Sequence, residues 1–195
     1  MHKHILAALA ALAISPLVSF AADAPAKPAA AKPPEPAAAP PAPAELATLD
    51  FFVGTWNCTG KAFASPMGPE HETAATVHAT KSVGDRWIHI NYDENKTKIN
   101  ATPYHVGVYM GYDAGAKKFV QGCVDNMGGY CTQNSPGWNG DAMVFEGTAN
   151  ADGKQFPARD TFTKKGASEL VHSAEMQGED KAWMKMDEET CHKAK

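Results

Sequence analysis

Long apolar stretches, C-x-x-C pairs and a strong excess of either charge are all missing from this chain of 195 residues. Beyond residue 18 no run of eighteen apolar residues occurs, so no later segment is predicted to cross a bilayer as a helix. With 18 basic and 22 acidic side chains the formal charge is -4, which argues against nucleic acid or an anionic lipid surface as a partner. G-x-S-x-G, H-E-x-x-H, the phosphate-binding G-x-x-x-x-G-K and the EF-hand loop are also absent. Asp125, Asp141, Glu146 and Asp160 supply carboxylates, but no spacing singles out a pair for acid–base work, and no catalytic residue is assigned.

What is present begins with an export pattern. A basic head, Met1-His2-Lys3-His4, precedes an apolar run over 5–18, and Ser19-Phe20-Ala21 then places small residues where a signal peptidase reads them. Residues 1–21 are therefore predicted to be a cleaved signal peptide, which leaves no integral membrane segment. Residues 22–45 follow as an Ala/Pro-rich disordered linker. From Ala22 to Ala44 there are eleven alanines and eight prolines in twenty-three residues. Prolines this dense remove amide donors, and such small side chains bury too little surface to offset the ordering of the backbone. Residues 46–195 remain as one domain, of a length that supports a single core.

That domain reads as all-β. After a helical turn over 45–52, ten segments have strand composition: 53–63, 73–83, 86–93, 104–112, 117–125, 129–134, 141–149, 155–164, 169–177 and 181–191. Glycine, asparagine, aspartate or proline separates them, and no helical period intervenes, so meander connections are favoured over parallel crossovers. Tyr104, Val106, Val108 and Met110 alternate with His105, Gly107, Tyr109 and Gly111, and both sets carry apolar or aromatic groups. A tightly curled sheet, with glycines relieving the bend, fits that pattern, and closure into an antiparallel up-and-down barrel of about ten strands removes the exposed edges. Asp113-Ala114-Gly115, Met127-Gly128-Gly129 and Asn150-Ala151-Asp152-Gly153 place glycine where hairpins need a positive φ.

Cys58, Cys123, Cys131 and Cys191 allow three pairings. Cys123 and Cys131 flank one predicted hairpin turn, and in a closed meander the strands of Cys58 and Cys191 are neighbours. The expected bridges are Cys58–Cys191 and Cys123–Cys131, with a metal site on Cys131, Cys191 and His192 as the rival arrangement; no metal is expected.

The run Leu49-Asp50-Phe51-Phe52-Val53-Gly54-Thr55-Trp56 resembles the opening of calycin barrels, the lipocalins and their relatives, in which the tryptophan of G-x-W packs across the closed end. Gly84-Asp85-Arg86-Trp87-Ile88, Gly111-Tyr112-Asp113, the stretch 140–147 and Arg159-Asp160-Thr161-Phe162 extend the likeness to an exported bacterial lipocalin-like group of unknown function, over residues 46–190. The resemblance implies a calycin-like barrel, an export compartment and a structural role for Trp56. One calycin relative, nitrobindin, holds haem iron through a late-strand histidine, and His172 and His192 are the positions a similar site would use here. Nothing else of that haem pattern can be matched, so no cofactor is expected.

A barrel of this size holds one small ligand, and flexible thioethers adapt to its shape. Met110, Met127, Met143, Met176, Met184 and Met186, with Trp87, Trp138 and Trp183, are candidate pocket material. Trp87, His89 and Tyr109 are taken as candidate ligand-binding residues. The expected function is binding or carrying a small apolar or amphipathic ligand outside the cytoplasm. The alternatives are a small enzyme using the same cavity and a non-catalytic envelope interaction module.

Overall fold

The computed structural model describes residues 41–65, 68–98 and 100–195. The expected signal peptide and the linker up to residue 40 lie outside the described residues. Among the described residues a 3-10 helix, Ala44–Phe51, comes first, starting two residues before the expected edge of the domain. Eleven strands follow: β1 Gly54–Ala62, β2 His71–Ser82, β3 Trp87–Glu94, β4 His105–Asp113, β5 Lys118–Asp125, β6 Tyr130–Ser135, β7 Trp138–Asn139, β8 Ala142–Ala151, β9 Lys154–Lys164, β10 Glu169–Gln177 and β11 Trp183–Lys193.

Every pairing is antiparallel and between chain neighbours, except that β6 pairs with β8 across the two-residue β7, and β11 returns to β1. Ten strands therefore close an up-and-down barrel, and β7 is a spur on its rim. Sequence composition does not show β7, because two residues are too few to alternate. At the closure Cys58 stands opposite Cys191, and in the β5–β6 hairpin Cys123 stands opposite Cys131. Both pairs are disulfide-bonded.

Close backbone approach is permitted at glycines other than those expected. A Cβ on Gly60 of β1 would lie 2.0 Å from the carbonyl oxygen of Glu188, and one on Gly147 of β8 would lie 2.2 Å from that of Thr132. Gly107, in the strand where alternation suggested bend relief, has no neighbour nearer than 3.8 Å to that position. The hairpin turns also differ in detail. Asp152 and Gly153 both take positive φ, 50° and 73°, giving a two-residue turn of the kind that matches strand twist. In the β4–β5 turn the left-handed residue is Lys117, not Gly115, because Asp113 Oδ1 accepts from the amides of Gly115 and Ala116 and fixes the turn earlier.

The core sits at one end of the barrel, under the 3-10 helix. Leu49, Met110, Met143 and Phe145 are wholly buried there, with Phe52 and Trp56 nearly so. Trp56 Nε1 donates to the Phe52 carbonyl at 2.8 Å, so the strand's tryptophan ties the helix to the barrel floor.

Candidate functional site

Strand pleating sends alternate residues inward, so the barrel wall presents every second side chain to a cavity of about 350 Å³. Its floor is the aromatic plug. Phe52 packs on Phe162 at 5.1 Å and on Trp138 at 5.8 Å between ring centroids, and Phe51 packs on Trp56 at 5.5 Å. Lys164 lies over the Trp138 ring at 3.6 Å, and its partial burial holds its ammonium below the ordinary lysine range despite the nearby Asp141.

Above the floor runs a belt of polar side chains. Gln121 on β5 donates through Nε2 both to Gln133 Oε1 on β6 and, at 3.0 Å, to Asp160 Oδ2 on β9. Asp160 Oδ1 lies 3.2 Å from Nε2 of His172 on β10. The other ring nitrogen of His172 lies 3.3 Å from Asp187 Oδ1 on β11, an ion pair without hydrogen-bond alignment. Two residues along β11, Glu189 Oε1 accepts from the Thr73 hydroxyl at 2.6 Å and from the Tyr92 hydroxyl at 2.8 Å. The belt thus crosses β6, β5, β9, β10, β11, β2 and β3.

Burial alone would strip the proton from His172, but the carboxylates of Asp160 and Asp187 outweigh it and hold the imidazole cationic well above its ordinary range. The ring keeps about a quarter of its side-chain surface, 23%, and it lines the cavity. Glu189 is pushed up by burial, against the pull of Thr73 and Tyr92. Burial, and next the Glu189 charge, push the Tyr92 phenol up, and Tyr104 is raised likewise by burial and by Asp125. Both phenols stay protonated and act as donors.

Toward the end away from the plug, Tyr104 donates to Asp125 at 3.2 Å, and Arg159 pairs with Glu175 while lying 4.4 Å over the Trp183 ring. Met127, Met176 and Met186 line the cavity at this end; Met110 lines it from within the core, Met143 belongs to the core, and Met184 faces outward, 43% exposed.

Trp87, His89 and Tyr109 are not among the residues that line the cavity. They occupy the alternate positions of β3 and β4, on the outer face, because Ile88, Ile90, Val108 and Met110 take the inner one. His89 stands opposite Tyr109 in register and stacks on it at 4.4 Å, and Trp87 lies over Gly111, where a Cβ would come within 2.7 Å of its ring. Trp56 is buried at the closed end. The sequence does not single out Gln121, Asp187 or Glu189, and it offers Asp160 and His172 without bringing them together. A usable signal existed: Trp56 inside implies Cys58 inside, hence its partner Cys191, hence Glu189 two residues back.

A family described as "Protein of unknown function (DUF1579)" matches residues 42–193. The chain belongs to that family. No curated protein matches it. Among solved structures the chain is similar to the crystal structure of Rv2717c from M. tuberculosis, at 12% identity and a TM-score of 0.61, covering 80% of this chain and 100% of that one. At that identity the likeness carries the fold and nothing finer. Family membership therefore supplies a barrel without a reaction.

The donor set suits neither haem iron nor another metal ion. A haem ligand needs a neutral imidazole with a lone pair turned to the cavity. His172 instead has both nitrogens against carboxylates and stays cationic, while His192 faces outward, 63% exposed, near Glu169. These residues do not fit an iron site. Among the described residues Cys58, Glu189 and Cys191 cluster at metal-ligand distance, but the two sulfurs are bonded to each other. Cys131 is likewise bridged, so the rival Cys131, Cys191 and His192 arrangement lacks its thiolates.

Proposed function

We propose that the chain is exported and that its barrel binds one small amphipathic molecule in the central cavity, without a cofactor. The observation that carries the reading is the cavity itself. At about 350 Å³ it falls in the range of small-molecule sites, and it runs from an aromatic floor to a belt of fixed polar groups. An apolar chain seated on Phe52, Trp56 and Phe162 would place its polar end at Gln121, Asp160 and His172. Export is supported by the N-terminal pattern of residues 1–21 and by two disulfides, which persist in an oxidising compartment.

The test is binding of N-phenyl-1-naphthylamine, whose fluorescence rises in apolar surroundings, to the mature protein freed of bound lipid. A saturable rise is expected. Val108→Trp, which fills space at the cavity wall, should abolish that rise while the protein still melts cooperatively. A protein that is folded and shows no saturable rise would overturn the reading. N-terminal sequencing of the secreted product should begin at Ala22.

A further inference from the structure

We infer that the ligand's polar end is a protonated amine, held against the buried acceptor of Gln121 in the negative field of the belt, an assignment that rests on the cavity reading above. Among the described residues, two cavity-lining side chains bury an acceptor atom without a hydrogen-bond partner, Gln121 Oε1 and Asp187 Oδ1; the second faces the His172 imidazolium at 3.3 Å, so Gln121 Oε1 is the one with neither a hydrogen bond nor an ion pair. Gln121 is only 5% exposed. Its amide is not free to turn over, because the nitrogen end is committed to two oxygens, those of Gln133 and Asp160. A buried acceptor without a donor is costly, and a ligand that brings N–H groups relieves that cost.

The charge around these atoms has the same sense. Six carboxylates line the cavity: Glu94, Asp125, Asp160, Glu175, Asp187 and Glu189. Among the described residues lining it there is no lysine, and the single arginine, Arg159, is already paired with Glu175. His172 contributes one positive charge between two carboxylates, so it leaves that group net negative. An ammonium has three donors and no acceptor, which matches an orphaned acceptor in a negative field. A fatty-acid carboxylate brings only lone pairs and a like charge.

The experiment compares dodecylamine, dodecanol and dodecanoate at neutral pH by calorimetric titration into the mature, lipid-free protein. The amine should bind at least about tenfold more tightly than the alcohol, with the carboxylate weakest. Equal binding of amine and alcohol, or tighter binding of the carboxylate, overturns the amine assignment and leaves the cavity reading standing. Failure of all three to bind overturns both. Gln121→Leu, checked by thermal melting, should bring the amine to the affinity that the alcohol has in the same variant, and Asp187→Asn, checked likewise, should reduce the preference for amine over alcohol. If Gln121→Leu does not fold, the isosteric Asp187→Asn decides, and an unchanged amine preference in it overturns the assignment.

Discussion

His172 is the residue on which the interior charge turns. Its imidazole faces Asp160 and Asp187, with Glu189 the next carboxylate along β11, and its proton is held well above the ordinary 6.5. A folded-state value raised above the unfolded one means that the native protein binds more protons, so the stabilisation is fully present below the unfolded value and is lost as pH rises through the folded one. The raised carboxyl of Glu189 acts in the same sense as pH rises from its ordinary value. The melting temperature should therefore fall as pH is taken upward from about 6.5, and His172→Gln should flatten that slope; an unchanged slope in the variant would show that other groups set it. Trp56 acts through packing instead. It is 2% exposed and its indole N–H holds the Phe52 carbonyl, so Trp56→Ala should lower unfolding free energy by about 3–5 kcal/mol in urea titration.

Among the elements, β1 and β8 are shaped by what they lack. Gly60 and Gly147 leave room for the backbones of β11 and β6, and a methyl group at either position would meet a carbonyl oxygen that belongs to the neighbouring strand and cannot swing away. Gly60→Ala should therefore destabilise by about 1–3 kcal/mol as an overpacked site, where the same change at a roomier strand glycine, Gly107, should cost far less. Paired urea curves on the two variants check this. β11 also carries a bulge: Ala174 pairs with Asp187 and Glu175 with Lys185, so Met186 is left over and its carbonyl accepts from the Phe63 amide. The bulge shifts the alternation of β11, so inner positions cannot be counted back unbroken from Cys191 to the start of the strand.

At the scale of the molecule the two disulfides have unequal tasks. Cys58–Cys191 spans a separation of 133 residues and closes the barrel, whereas Cys123–Cys131 spans 8 and pins one hairpin. On the loop-entropy account the first contributes about 4–5 kcal/mol and the second about 2–3. Replacing Cys58 and Cys191 by alanine should thus lower the melting temperature more than replacing Cys123 and Cys131, measured on oxidised protein. The ten strands, the meander order and both cysteine pairings were legible in the sequence, because alternation and turn residues are local and because closure brings the first and last strands together. The belt was not. Gln121, Asp160, His172, Asp187 and Glu189 are scattered over four strands, and only the register of neighbouring strands, together with the closure that brings β5 within reach of β9, sets them within bonding distance. The same reason moved Trp87, His89 and Tyr109 from the expected lining to the outer face: composition marks a strand, but which of its two faces turns inward is decided only when the whole sheet closes on itself.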